Sequence, residues 1–466
     1  MNSFPQTETA GSLFPAEVTL LAGTTCPVRE SWEPFAPQAV DFLETFSRAL
    51  RQNSLAKEEP ETMALAFWCR RAHILSLREK HGMGPADRHG VRPEPAIISD
   101  GGKERLAAKE GSNLSRGQLY LGWGRIFHLA PSNVPMMFAY TWIIGLLAGN
   151  AGIVRISERT LRQEPVQAVL EVLRDLLGQE QQGPLRRDFS GIRARTSFIT
   201  YDHSEAVTEQ ILQHCDGRVL WGGDETIRRM RRIPMPAHAV ELTFPDRVSL
   251  AVISEEALTG MEEAQIRNLV HRFYNDTYVM DQNGCSSPQT VVWLRGNKGT
   301  GKGQGENKPA AEQSRLIREK WWDMLAEEAE NVYGMDGFRA ARKLEKAALS
   351  AMQQADSMTI RIRRYHGNLL YVLSLSDMPD NLAVYKGGFG LFFEMEAGTA
   401  AEIFKSFTPR IQTVVCIGVE PGILAGLAAQ HHSEGVLRFV ESGQALQIDT
   451  IWDGIDLIRA LSRKIL

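Results

Sequence analysis

The run Met280-Asp281-Gln282-Asn283-Gly284-Cys285-Ser286-Ser287-Pro288-Gln289 leads straight into the apolar segment Thr290-Val291-Val292-Trp293-Leu294. A structural cysteine is usually set in apolar sequence, because a free thiol packs as a small hydrophobe. Cys285 instead has Gly284 before it and two serines after it. That setting suits an accessible nucleophile with backbone amides nearby, and it equally suits a turn that happens to contain cysteine. A second segment, His128-Leu129-Ala130-Pro131-Ser132-Asn133-Val134-Pro135, places an asparagine between two prolines that restrict the backbone. A helix is expected to start just after Pro135. Asn133 would then either offer its amide to a developing oxyanion or cap that helix.

Two other motifs fail on their chemistry. Gly296-Asn297-Lys298-Gly299-Thr300-Gly301-Lys302-Gly303 nearly spells a phosphate-binding loop, but Gly303 stands where a magnesium-binding hydroxyl is required. Gly122-Trp123-Gly124-Arg125-Ile126-Phe127 puts Phe127 where a dinucleotide fingerprint needs its third glycine, and it precedes its strand. The remaining cysteines read as structural: Cys416 lies in an apolar strand and Cys69 beside Trp68 in a helix. His214 and Cys215, as helix neighbours, diverge. The arginines Arg228, Arg229, Arg231 and Arg232 read as a solvated helix face.

The elements that must position Cys285 and Asn133 alternate. From Gly117 onward, strand signals at Ile126–Ala130, Gly152–Arg155, Arg195–Thr200 and Gly217–Trp221 are separated by helical stretches, the pattern of a parallel α/β layer. A second α/β segment begins near Arg247 and contains the Cys285 turn. Residues His81 to Gly111 read as connecting loops, Arg295 to Gln313 as a surface loop, Glu61 to Lys80 as one helix, and Ile455 to Leu466 as an amphipathic helix.

With 466 residues, 43% hydrophobic and 23% charged, the chain has the composition of a soluble protein of two or three domains. A net charge of −4 gives no basic footprint for nucleic acid. Five cysteines without a close pair argue against a disulfide framework or a zinc site and for a reducing compartment. No secretory signal is visible, and the apolar stretch Val134–Gly149 is too short to span a bilayer. A cytoplasmic protein without a membrane partner is expected.

Taken together, these segments resemble the aldehyde dehydrogenase superfamily, and within it the acyl-CoA reductases typified by the fatty acid reductase of bacterial luminescence systems. The resemblance rests on Asn133 to Pro135, Gly149-Asn150 and Arg155-Ile156-Ser157-Glu158. It is strengthened by Trp221-Gly222-Gly223-Asp224-Glu225-Thr226-Ile227, Cys285-Ser286-Ser287-Pro288-Gln289, Gln412-Thr413-Val414-Val415 and Trp452-Asp453-Gly454-Ile455-Asp456-Leu457-Ile458, in that order. It implies an α/β, aldehyde dehydrogenase-like fold with a Rossmann-type cofactor domain and an α/β catalytic domain carrying the nucleophilic cysteine. The expected segments are 1–115 (helices and loops), 116–246 (cofactor binding), 247–430 (catalytic) and 431–466 (a C-terminal segment packing back).

The implied chemistry is attack of Cys285 on an acyl thioester, with Asn133 and the Cys285 amide holding the oxyanion. A reduced nicotinamide then converts acyl-Cys285 to an aldehyde. NADPH is the expected cofactor, with NADH as the alternative, held by Arg155, Ser157, Glu158, Gly222, Gly223 and Asp224. The family's base lies in a Glu-Leu-Gly-Gly-Lys element. Here the counterpart Glu241-Leu242-Thr243-Phe244-Pro245-Asp246-Arg247 lacks both glycines, which puts the base role of Glu241 in question and favours reduction over hydrolysis. The substrate would be an acyl-CoA or an acyl-protein, with an acyl-protein synthetase subunit as a conceivable donor, and a homo-oligomer is implied. An NAD-dependent aldehyde dehydrogenase and a non-redox acyl-cysteine transferase stand as alternatives.

Overall fold

The computed structural model describes residues 11–83, 96–100, 103–107, 119–178, 188–295, 308–354 and 360–465. The chain divides into two compact units, one formed by residues up to Phe244 together with the segment from Ile455, the other by Pro245–Gly454.

In the first unit, short apolar runs rich in β-branched residues form a six-stranded sheet. Its strands are β1 (Thr19–Gly23), β2 (Arg125–Leu129), β3 (Ala151–Arg155), β4 (Thr196–Thr200), β5 (Gly217–Trp221) and β6 (Val240–Phe244), in the order β1-β4-β3-β2-β5-β6. All neighbours run parallel except β1, which pairs antiparallel with β4. Strands β3 and β5 are buried along their whole length, as expected where helices cover both faces. The helix Met137–Leu147 starts two residues after Pro135, and every one of its residues is buried. It stops at Gly149, whose φ is +92° and where a Cβ would lie only 2.0 Å from the Trp32 carbonyl oxygen.

Asn150, next along, is buried and hydrogen-bonded at both ends. Its Oδ1 accepts from the amides of Trp123 (2.7 Å) and Gly124 (3.1 Å), while Nδ2 donates to the carbonyls of Gly145 (3.2 Å) and Leu461 (2.8 Å). The Gly149-Asn150 pair therefore ends a helix and ties three separate segments together.

The second unit is a seven-stranded sheet. Its strands are β7 (Val248–Ser254), β8 (Pro288–Leu294), β9 (Ile360–Tyr365), β10 (Leu370–Leu375), β11 (Leu391–Ala397), β12 (Ile411–Ile417) and β13 (Arg438–Glu441), in the order β9-β10-β11-β8-β7-β12-β13. Only β9 and β10 pair antiparallel. The two-residue side-chain period feeds two cores: Val248, Leu250 and Val252 of β7 face one, Ala251 and Ile253 the other. Strand β12 splits likewise, with Val414 and Cys416 on the first side and Val415 and Ile417 on the second. On the second side, the indoles of Trp293 and Trp322 both donate to the buried carboxylate of Glu394, at 2.9 and 2.7 Å.

Several sequence expectations are corrected. Ile455–Leu466 is not a continuous helix: a single turn, Leu457–Ala460, is followed by the strand Ser462–Lys464, antiparallel to Tyr120–Gly122. The carbonyls a helix would have used are taken instead, Ala460 O by the Trp123 indole (3.2 Å) and Leu461 O by Asn150. Within His81 to Gly111, Ala96–Asp100 and Lys103–Ala107 pair as an antiparallel hairpin, and the remaining residues from 84 to 111 lie outside the described ones. The helix read over Glu61–Lys80 is two, Pro60–Trp68 and Arg71–Lys80, broken where Arg70 turns extended at ψ 138°. The surface loop read to Gln313 gives way earlier, to a helix over Lys308–Val332, and the phosphate-loop look-alike at 296–303 lies outside the described residues. Strands β1, β6, β9 and β13 were not anticipated. No helix among the described residues is long and apolar enough to cross a membrane.

Candidate active site

In the first unit the strand order reverses between β2 and β5, and the loops leaving the carboxyl ends of β2, β3, β4 and β5 enclose a cleft of about 460 Å³. Ligands of doubly wound sheets bind at this switch point, because crossovers leaving to opposite faces open a crevice there. Asn133 lines the cleft from the loop after β2, Arg155, Ser157 and Glu158 from the end of β3, and Gly222 and Gly223 from the end of β5. Asp224 is the first residue of the helix Asp224–Arg232 and does not line the cleft. A Cβ at Gly223 would meet no atom within 4 Å, so the backbone there faces open space that a bulky ligand can approach.

Arg155 is the cleft's most constrained cation. It is buried, donates to the carbonyl of Tyr201 at 3.0 Å and lies over the Tyr201 ring. Burial, more than any neighbouring charge, pushes its pKa down. Its Nε has no hydrogen-bond partner among the described residues, an unspent buried donor in the wall of the cleft. Ser157 accepts from the Thr160 amide at 3.2 Å as the N-cap of a short helix.

Asn133 does not cap the following helix: the N-cap is Met136, with no side-chain hydrogen bond. The sequence reading also missed the loop after β4, where Tyr201 and His203 line the cleft, and treated the arginine-rich helix as a solvated face although Arg229 lines it too. The only available signal was position: that loop follows a parallel strand.

Glu241 occupies β6 directly opposite Arg218 of β5. Its carboxylate is held by Arg218 at 2.6 Å and by Arg231 at 2.7 Å. Burial alone would raise its pKa, but the two guanidiniums outweigh that and hold it below the ordinary carboxylate range. A carboxylate clamped between two cations is a poor proton acceptor.

In the second unit Cys285 precedes β8 and is half-buried, whereas Cys69, Cys215 and Cys416 are buried and Cys26 is exposed. Burial pushes the Cys215 and Cys416 thiols up to about 12. Cys285 is pushed up to about 11, first by burial and then by the charge of Asp453, with a hydrogen bond from Gln412 and the charge of Arg438 pulling the other way. Its setting is polar. Ser249 Oγ donates to the Cys285 carbonyl at 2.7 Å and accepts from the Thr413 amide at 3.1 Å, pinning the turn to β7 and β12. Gln412 Nε2 donates to Asp453 Oδ1 at 2.5 Å, and Arg247 Nε pairs with Asp453 Oδ2 at 2.8 Å.

The two α/β units together have the fold of the aldehyde dehydrogenases. Over 93% of its length it superposes on 81% of a 1-pyrroline-5-carboxylate dehydrogenase with a TM-score of 0.56 at 12% identity. Over 92% it superposes on 84% of an NAD-dependent benzaldehyde dehydrogenase from Corynebacterium glutamicum with a TM-score of 0.51 at 12% identity.

More narrowly, residues 111–303 match the model of the acyl-CoA reductase (LuxC) family, the resemblance read from the sequence motifs. The chain is 28% identical over 172 residues to the long-chain acyl-protein thioester reductase of Vibrio harveyi, covering 36% of this chain and 32% of that protein. The match thus spans about a third of the length of the curated relatives.

Proposed function

We propose that this protein reduces an acyl thioester, an acyl-CoA or an acyl-protein, to an aldehyde with NADPH through an acyl-Cys285 intermediate. The observation that carries the reading is Cys285 itself, a half-buried thiol in a hydrogen-bonded polar turn, unlike the three cysteines spent in cores. Exchange of one thioester for another is nearly neutral in energy, so a thiol is the economical nucleophile for this donor. Asn133 serves as the side-chain donor to the oxyanion.

The switch-point cleft suits a nicotinamide dinucleotide. Gly223 leaves backbone open to a pyrophosphate, and the unspent Nε of Arg155 suits a ribose or its 2′-phosphate. Ser157 and Glu158 sit beside it at the end of β3. When bound, the reduced nicotinamide supplies the hydride. Glu241, committed to Arg218 and Arg231, is ill-suited to activate water, which supports reduction over the hydrolysis an aldehyde dehydrogenase requires.

The test is consumption of NADPH with acyl-CoAs of graded chain length, with Cys285→Ala as the blank. Aldehyde formation is expected from the wild type and none from the variant, which should still bind NADPH. Reduction by Cys285→Ala would sink the covalent mechanism. Consumption only with NADH would correct the cofactor, and acylation of Cys285 without consumption would favour a transferase.

A further inference from the structure

Two consecutive residues just ahead of Cys285 hold a backbone conformation that side chains disfavour. Asp281 has φ +52° and Gln282 φ +56°, both in the left-handed region. Neither is glycine, and such a pair persists only where its surroundings fix it. The fixing groups are in place. The Asp281 carbonyl accepts from the Phe389 amide at 3.0 Å, and its carboxylate accepts from the Tyr333 hydroxyl and from Arg339 Nε. The Gln282 amide donates to the Thr277 carbonyl at 2.9 Å, which folds the chain back on the helix Glu263–Thr277.

Gln282 does more than tolerate this conformation. It is 1% exposed, and both ends of its side-chain amide are used. Oε1 accepts from the Gly390 amide at 2.8 Å, while Nε2 donates to the carbonyls of Pro288 at 3.2 Å and Leu391 at 3.4 Å. The orientation of this amide is thereby determined, since the reverse would set its oxygen against two carbonyls. Pro288 and Leu391 open the adjacent parallel strands β8 and β11, so one side chain fastens the turn to the start of both. A second glutamine closes the loop from the other side: Gln289 Nε2 donates to the Gln282 carbonyl at 3.2 Å. Gln282 and Gln289 thus each grip the backbone beside the other, and the loop between them carries Cys285. The middle of that loop is held separately, by Ser249 Oγ on the Cys285 carbonyl.

We propose that Gln282 is a positioning residue for Cys285: with Gln289 it clasps the base of the nucleophile's loop and sets where the sulfur meets the acyl carbonyl. The inference rests on the reading of Cys285 as the nucleophile. Gln282 acts through the backbone, makes no bond to the substrate and moves no proton. Its contribution is orientation, and a displacement of about 1 Å at an attacking atom can lower a rate about a hundredfold.

The experiment separates the clasp from the backbone conformation and from general stability. Asparagine is the side chain most at home in the left-handed region, but it is one methylene shorter and loses the reach to Gly390, Pro288 and Leu391. Gln282→Asn therefore keeps the conformation and releases the clasp. Gln282→Glu keeps an acceptor for Gly390 and loses the donor. In the full-length protein, each should slow acylation of Cys285 by saturating acyl-CoA, followed by peptide mass spectrometry, by about ten- to a hundredfold. The acyl-CoA concentration at half-saturation should stay near that of wild type. Gln289→Ala should act alike, and combining it with Gln282→Asn should add little, because either change opens the same clasp. In iodoacetamide without substrate, the loosened turn should expose the half-buried thiol. Cys285 should then alkylate severalfold faster than in wild type, while buried Cys416 of β12 keeps its wild-type rate. Slower acylation beside faster alkylation of Cys285 alone is a pattern that unfolding does not give, because unfolding exposes both cysteines.

Wild-type acylation and alkylation in Gln282→Asn and Gln282→Glu would overturn the proposal. Equal acceleration at Cys285 and Cys416 in all three single variants would overturn it too, since it marks a general loss of stability. A wild type that acyl-CoAs do not acylate, or reduction by Cys285→Ala, removes the functional reading. The ratio of the two alkylation rates, read without substrate, still supports or overturns the clasp on its own.

Discussion

Cys285 and Asn133 show how far a residue can be read before its neighbours are known. The cysteine stood out because its flanks are polar. The structure adds what holds the turn: a serine that ties the Cys285 carbonyl to two strands. These partners come from positions 249 and 413, and no local pattern links them to Cys285. For Asn133, the helix that follows has Met136 at its N-cap, without a side-chain hydrogen bond there. If Asn133 donates to the oxyanion, Asn133→Ala should lower kcat by about a hundredfold or more with a smaller effect on KM. Steady-state kinetics on an acyl-CoA would check this, and an unchanged kcat would remove Asn133 from the chemistry. Glu241 is the converse case. The Glu-Leu pair looked like the family's base element, yet parallel pairing of β6 with β5 sets Arg218 opposite it and turns it into an ion-pair partner.

At the scale of elements, the motif Gly149-Asn150 has a structural task that its sequence conceals. The glycine permits the chain reversal, and the asparagine then satisfies two amides and two carbonyls drawn from three segments. Replacing Asn150 with Ala strands buried donors at Trp123 and Gly124, and the expected loss is roughly 2–4 kcal/mol. Urea unfolding measured against wild type would test it, and a change below about 0.5 kcal/mol would show that water replaces the side chain. Strands with continuous apolar runs, such as β5 and β8, were legible because burial on both faces leaves no polar alternation. Strand β6 was not, since Val240-Glu241-Leu242-Thr243-Phe244 alternates at a sheet edge. The last segment misled because Ile458 and Leu461 suit a helix face equally well, until Trp123 and Asn150 take its carbonyls.

For the whole molecule, buried ionisable groups link fold to pH. His128 in β2 is wholly buried, bonded through Nδ1 to Thr141 Oγ1 at 2.8 Å, and burial lowers its pKa from 6.5 to about 3. Between those values the unfolded chain binds a proton at this position and the folded one does not, so stability is fully present above pH 6.5 and is lost as pH falls toward 3. The loss attributable to His128 should be about 5 kcal/mol at most, and His128→Gln should flatten the decline between pH 6.5 and 4. Chemical denaturation across that range would show it, with each unit's transition fitted separately, since two compact units need not unfold together. An identical slope in the variant would mean that other groups set the acid limit.

Taken alone, the sequence determined the fold class, the alternation of strands and helices from Gly117 onward, and the thiol and asparagine worth testing. Periodicity and polar flanks are local properties, and a chain carries them in its order of residues. Tertiary structure alone decided which side chains meet: that Tyr201 and Arg229 reach the cleft of Arg155, that Glu241 is spent on two arginines, and that Ser249 joins the Cys285 turn to Thr413. Those meetings depend on strand order and register, which bring residues more than a hundred positions apart within one hydrogen bond and leave no trace in the spacing of either.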